Sequence, residues 1–209
     1  MAQAFDELAR LTSAIQLTPG NAPTAEFEAH VRASGVATRL HHGFAWTARK
    51  TDVWSECGAC LVASESVHPP QRTIGWDAWI EQQLAAGIAA PVVEVMYPGH
   101  ALGTGVEVEL AMDRGWPLVV DVSHVFIQRT QDAMSDTTWR RLADYDRITE
   151  IHVSANAGKH DTHQPLAETT FGLDWARERL ADGVPTVLEC YMHRLRDAQR
   201  REQIEMVMR

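Results

Sequence analysis

Short apolar runs alternate with amphipathic segments along most of the chain. The runs are three to five residues long, and continuous apolar runs of this kind are typical of strands buried on both faces of a parallel sheet. An eighth strand is expected within Asp161–Leu166. The seven clear runs that predict strands are Ser13–Leu17, Val36–Leu40, Ala59–Ala63, Pro91–Val93, Leu118–Val120, Ile148–Ile151 and Pro185–Leu188.

The segments between these runs carry apolar residues at helical spacing. Glycines follow several of them, as Gly35, Gly115 and Gly183 do, which is typical of helix ends. A helical spacer is also expected after the Leu118 run. The other predicted helices are Phe5–Leu11, Thr24–Arg32, Trp76–Ala86, Gly105–Arg114, Thr137–Tyr145, Phe171–Leu180 and Arg194–Met208.

This alternation predicts an α/β fold in one domain covering residues 1–209. A closed (β/α)8 TIM barrel is favoured over an open doubly wound sheet, because polar side chains follow nearly every strand and a barrel brings strand ends to one face. No glycine-rich dinucleotide or phosphate loop follows any strand. The chain is at the lower limit of length for this fold, so we expect a compact barrel, with a reduced or irregular strand.

The chain is acidic, with a formal net charge of −9 and a sequence pI near 5.5. Such a balance disfavours nucleic acid as a partner, because the phosphate backbone requires a basic surface. The first residues, MAQAFDELARL, are unlike a signal peptide, and no apolar run approaches membrane-spanning length. We therefore expect a cytoplasmic protein that binds neither nucleic acid nor membrane.

The three cysteines do not form a disulfide framework, because their number is odd. Cys57 and Cys60 have C-x-x-C spacing, which fits either a redox pair or half of a zinc-binding clip. The sequence leaves both alternatives open.

Imidazole and carboxylate side chains follow the predicted strands. Glu94 and Glu189 come after apolar residues, where an ionised carboxylate is costly unless it is paired or bound to a metal. Mixed imidazole and carboxylate ligands suit zinc, iron or manganese. Either His41 or His42 follows an early strand. The predicted metal ligands are His42, His68, Glu94, Asp121, His124, His152, Asp161, His163 and Glu189.

Three of these motifs carry a family resemblance. The pattern D-x-x-H from Asp121, then H-x-S-x-N-x-G-x-x-D-x-H from His152, then L-E at Glu189, resembles the xylose-isomerase-like TIM-barrel superfamily. That superfamily includes the second family of apurinic/apyrimidinic endonucleases, sugar isomerases and epimerases, and multinuclear non-haem iron oxidases that modify peptides. The resemblance covers roughly Arg39 to Glu189.

The resemblance implies a set of metal ligands. Glu94, Asp121, His152 and Glu189 match the quartet that holds one divalent metal in the isomerases. The endonuclease and oxidase branches hold two or three metals, and their additional ligands match His42, His68, His124, Asp161 and His163. The sequence LHHG, which resembles the L-H-G of the iron oxidases, favours His42 over His41. The Glu-Asn pair usual in the oxidases is Glu94-Val95 here.

Three chemistries compete under this resemblance. An iron-dependent oxidase or oxygenase that modifies a small molecule or a peptide is favoured, because it uses every ligand. The alternative is a single-metal sugar or sugar-phosphate isomerase or epimerase, and an endonuclease-type hydrolase ranks third because the chain is acidic. The expected catalytic residues are Glu94, Glu189 and His124. Since the chain is shorter than its relatives, its substrate-binding loops are small or supplied by a partner protein or a second copy.

Overall fold

The computed structural model describes residues 1–18, 23–47, 64–70, 76–87 and 92–209. The chain divides into two compact units, Met1–Pro91 and Val92–Arg209, and each is described by itself. The predicted strand Ala59–Ala63 and both cysteines of the C-x-x-C pair lie outside the described residues. The prediction of a single domain stays a prediction.

The first unit contains a two-stranded parallel sheet. Residues Ala14 to Leu17 pair in register with Ala37 to Leu40. The intervening helix begins where Thr24 Oγ1 accepts a hydrogen bond from Phe27 N (3.2 Å) and ends at Gly35, whose φ of +70° favours glycine. The described elements are α1 (Ala2–Ala9), β1 (Ala14–Leu17), α2 (Ala25–Ser34), β2 (Ala37–Leu40) and α3 (Trp76–Ala85).

The second unit is built around a four-stranded sheet in which all neighbouring strands are parallel. The strands lie in chain order, which is the arrangement expected of consecutive βα units. They are β3 (Val93–Val95), β4 (Leu118–Asp121), β5 (Ile148–Val153) and β6 (Thr186–Leu188). The helices are α4 (Gly105–Asp113), α5 (Val122–Thr130), α6 (Asp136–Ala143), α7 (Leu173–Ala181) and α8 (Asp197–Met208), with a 3₁₀ turn at Met192–Arg194.

The residues of β3 and β4 are buried on both faces of the sheet, as are those of β5 except Thr149. Residues of β4 such as Val119 and Val120 are fully buried, although they point to opposite sides of the sheet. This explains why the strands appear in the sequence as continuous apolar runs rather than as an alternating pattern. The fold class, α/β with parallel sheets, is therefore confirmed.

Some predicted boundaries were wrong. Residues Asp161–Leu166 do not form an eighth strand; they contribute one isolated antiparallel bridge between Ala155 and Gln164. Glu94 and His152 lie inside β3 and β5, whereas the sequence predicted them just after the strands. Polar residues at these places ended the apolar runs and so concealed the remainder of each strand.

The described residues contain six strands in two sheets, and no closed eight-stranded barrel is seen among them. The TIM barrel stays a prediction. No helix in the described part of the chain is both long enough and apolar enough to cross a lipid bilayer.

Candidate metal centre

Strand register brings several charged side chains to one face of the second unit's sheet. Glu94 pairs with Val119, which pairs with Glu150, so these three side chains point the same way. The next row on that face pairs Asp121 with His152. All four charged residues are at most 1% exposed.

Asp121 is the last residue of β4 and also the N-cap of α5. Its Oδ1 accepts hydrogen bonds from Ser123 N (2.6 Å) and His124 N (3.4 Å). The cap places His124 in the first turn of the helix, above the end of the strand. Asp121 Oδ2 accepts no hydrogen bond among the described residues and lies 3.4 Å from His124 Nε2.

A first ligand set forms around His124. Asp161 Oδ2 lies 3.3 Å from His124 Nε2 and 3.0 Å from His163 Nε2. Ser123 Oγ is 3.5 Å from the other oxygen of Asp161. The sequence predicted all three of these ligands, and the structure brings them together.

The loop that carries Asp161 is anchored to α5. Asn156 Nδ2 donates to Ser123 O (2.9 Å), and its Oδ1 accepts from Gly158 N (2.7 Å). Thr130 Oγ1 donates to Gly158 O (2.5 Å). The loop therefore has a fixed position beside the helix that carries His124.

A second ligand set forms around His152. Its Nδ1 lies 3.4 Å from Glu94 Oε2 and 3.3 Å from Glu189 Oε1. Glu189 directly follows β6 and is bonded through its backbone N to Val153 O (2.9 Å). Asp121 neighbours His152 in the sheet, so the four residues of the predicted quartet lie on or directly after adjacent strands.

Glu94 lies between the two sets. Its Oε1 is 3.1 Å from His124 Nδ1, and its Oε2 faces His152. The ligand atoms of Glu94, Asp121 and His124 all lie within 4.8 Å of one another. The carboxylate can therefore contact a cation in either set.

The electrostatics of the cluster follow from its burial and its charge. Burial acts to lower the pKa of His124, but Asp121 and hydrogen bonds with Asp161 and Glu94 raise it well above its ordinary value. The pKa of His152 is raised in the same way, because Glu189 and Glu94 outweigh burial.

The pKa values of the carboxyl groups of Glu189 and Asp161 are shifted in opposite directions. Burial, with Glu94 and Asp121 nearby, raises the pKa of Glu189 to about 7. Burial would also raise the pKa of Asp161, but its hydrogen bonds with His124 and His163 lower it below its ordinary value. Burial is thus the main influence on the pKa of Glu189, whereas the histidines outweigh burial at Asp161.

Individual imidazole–carboxylate separations in both sets are those expected of two neighbouring ligands of one metal ion. Ligand bonds of about 2.1 Å at octahedral or tetrahedral angles put neighbouring ligand atoms about 3.0 to 3.4 Å apart. The imidazole–carboxylate separations in both sets are 3.0 to 3.4 Å. Buried His, Asp and Glu side chains are therefore close enough together to bind a metal.

Three histidines of the first unit also cluster. The ring of His68 lies 4.8 Å from the ring of His41 and 4.4 Å from that of His42. Ser66 Oγ is 2.7 Å from His41 Nδ1, and His68 N donates to His42 Nδ1 (3.3 Å). The predicted pair His42 and His68 is thus assembled, although His41 is equally close.

Sequence reasoning missed Glu150. It is 1% exposed, and its Oε1 lies 2.7 Å from His152 Nε2. A glutamate two residues before a histidine on a strand shares its face, and this spacing was the available signal. Ser154, two residues after His152, is also buried, and its Oγ makes no hydrogen bond within the described part of the chain.

Comparisons of this chain with protein-family models, curated proteins and solved structures give no match in any of the three.

Proposed function

We propose that this chain is a metal-dependent enzyme whose second unit binds two divalent cations. The observation that carries the proposal is the charge of the buried cluster. Within the described contacts of the second unit, five carboxylates, at Glu94, Asp121, Glu150, Asp161 and Glu189, contact three imidazoles, at His124, His152 and His163. With every carboxylate ionised and every imidazole protonated, these eight groups alone carry two more negative than positive charges. Cations offset such an excess in a buried place.

The division into two sets supports more than one cation. His124, Asp161 and His163 would hold one ion, and Glu94, Asp121, His152 and Glu189 the other. The histidines of the first unit, His42 and His68, would serve a third, in keeping with the predicted two or three metals. Each set mixes imidazole with carboxylate, which suits iron, with manganese or zinc as alternatives.

The chemistry best supported is an iron-dependent oxidation of a small molecule or a peptide. Bound iron would supply redox chemistry with oxygen. The chain's own residues bury the reacting centre and orient it: Glu94 contacts both sets, and the N-cap at Asp121 fixes His124. This proposal retains the resemblance to the xylose-isomerase-like superfamily and, with it, the (β/α)8 barrel and a cytoplasmic location.

A single-metal sugar isomerase or epimerase is the second candidate. The observation that favours it is Glu189, because burial and nearby Glu94 and Asp121 raise its pKa to about 7. A carboxyl that titrates near neutral pH is suited to moving a proton. The isomerase, however, gives no role to the set of His124, Asp161 and His163. An abasic-site endonuclease ranks third, because it needs a basic surface, which a net charge of −9 disfavours.

The experiment that separates these candidates replaces His163. In His163→Ala, bound iron should fall by about one equivalent while the other set keeps its ligands. His160→Ala is the matched control, because His160 is an exposed histidine in the same loop. Metal content of anaerobically loaded protein, its EPR or Mössbauer spectrum, and oxygen uptake by the iron(II) form give the readouts.

The oxidase predicts two or three irons in the wild-type protein and oxygen uptake that His163→Ala removes. The isomerase predicts one metal, an unchanged count in His163→Ala and no oxygen uptake. Cleavage of abasic DNA by the metal-loaded protein would instead favour the endonuclease.

A further inference from the structure

Glu150 and His152 form a buried pair within one strand. They are two residues apart on β5 and so point to the same face of the sheet. Glu150 Oε1 lies 2.7 Å from His152 Nε2, closer than the other imidazole–carboxylate pairs among the described residues of this cluster. Glu150 is 1% exposed and His152 is fully buried.

The other nitrogen of His152 faces the second ligand set. Its Nδ1 lies 3.3 to 3.4 Å from oxygens of Glu94 and Glu189. An imidazole that binds a metal offers a lone pair on one nitrogen and carries its proton on the other. The partner of the second nitrogen selects which one binds the metal.

We propose that Glu150 is a positioning residue that accepts the Nε2–H of His152 and so presents Nδ1 to the metal. The inference rests on the proposed function, because it takes His152 as a ligand. Hydrogen bonding to a carboxylate fixes the ring orientation and makes Nδ1 more basic. The pair predicts that His152 binds through Nδ1, even though Nε2 is the nitrogen nearer to a carboxylate.

Glu150 is buried, and burying a carboxylate is costly unless it is paired. Its contact with His152 offsets part of that cost. This contact is made at Nε2, whereas Nδ1 of the same ring faces Glu94 and Glu189.

The test uses zinc, a diamagnetic ion that accepts the same ligands. In ¹⁵N NMR of zinc-loaded wild-type protein, His152 should show a metal-bound Nδ1 and a protonated Nε2. Glu150→Leu, which removes the acceptor but keeps the volume, should weaken zinc binding at this set by about 10- to 100-fold. Glu150→Gln, which retains an acceptor oxygen, should lose less affinity.

Glu178→Gln is the control, since Glu178 is an exposed glutamate on α7, and its zinc affinity should match that of the wild type. Zinc bound to Nε2 of His152, or a Glu150→Leu affinity within twofold of wild type, would overturn the inference while leaving the metal site in place. A wild-type protein that binds no zinc would instead overturn the proposed function, and this inference with it. If Glu150→Leu does not fold, the wild-type spectrum and Glu150→Gln still decide.

Discussion

Asp121 uses its two carboxylate oxygens for different purposes. Oδ1 caps α5 through the backbone amides of Ser123 and His124, and Oδ2 faces the imidazole of His124. Asparagine is as good an N-cap as aspartate, whereas alanine is a poor one. Asp121→Asn should therefore keep the cap and lose the anionic ligand, while Asp121→Ala should lose both.

The expected order of stability differs with and without metal. In the metal-free protein, Asp121→Ala should be less stable than Asp121→Asn by about 0.5–2 kcal/mol, because both variants remove the buried charge and only alanine loses the cap. Asp121→Asn should equal or exceed the wild type, because it removes a buried charge. In zinc at about 100 times the dissociation constant, each wild-type site should gain about 2.7 kcal/mol. Asp121→Asn should gain clearly less unfolding free energy from zinc than the wild type.

The pH dependence of the metal-free proteins gives a further check. Burial, with Glu94 and Asp161 nearby, raises the pKa of Asp121 above its ordinary value. The folded state therefore retains this proton more readily than the unfolded state, so ionisation of Asp121 costs stability as the pH rises through the window between the two values. The advantage of Asp121→Asn over the wild type should thus grow with rising pH in that window and vanish below it.

Urea denaturation of the three proteins, in chelator and in zinc, measures these differences. The reasoning would be refuted if Asp121→Asn were destabilised as much as Asp121→Ala in chelator. Equal stabilisation of Asp121→Asn and wild type by zinc would refute the ligand role alone.

Two further predictions concern proton release and the ligand loop. The pKa values of His124 and His152 are raised in the metal-free protein, so zinc must displace protons when it binds. Its apparent affinity should therefore rise between about pH 6 and 8. Calorimetry in two buffers would contradict this prediction if it found no proton release. Gly158→Ala should cost more than the about 1–2 kcal/mol of a left-handed backbone, because its Cβ would lie 2.7 Å from the Thr130 side chain. Gly183→Ala is the control: Gly183 has a φ of +90°, and a Cβ added there would meet no atom within 4 Å, so only the backbone cost applies. Equal losses of melting temperature in the two variants would contradict the role of Thr130.

The parallel sheet and most of the clustered imidazole and carboxylate side chains could be predicted from the sequence. Strands buried on both faces leave continuous apolar runs, and parallel strands bring their ends together. Asp121, His124 and Asp161 were predicted on that basis, and the structure places them within one cluster. The boundaries were less predictable, since a charged residue within a strand, such as Glu94, ends the apolar run before the strand itself ends.

Glu150 shows why the remainder could not be predicted. A glutamate between Thr149 and Ile151 fits the solvent-facing position of an ordinary strand. Its spacing from His152 places it on the histidine's face of the sheet, but does not show that this face is buried. That information lies in Glu94 and Glu189, which come from other strands and meet His152 only after folding. Residues that come together from distant segments of the chain leave no periodic pattern in the sequence.

The location of the negative charge is itself an argument about function. Stability alone would favour apolar residues at Glu94, Asp121 and Glu150, because all three are at most 1% exposed and isolated buried charges are costly. His124 and His152 contact all three carboxylates, and burial, with Glu94 and Asp121 nearby, raises the pKa of Glu189 to about 7. These groups are concentrated at one place, where the ligand atoms of Glu94, Asp121 and His124 lie within 4.8 Å of one another. A cation bound there would reduce the repulsion between the carboxylates and so stabilise the fold. Metal binding and folding stability should therefore be linked in this protein.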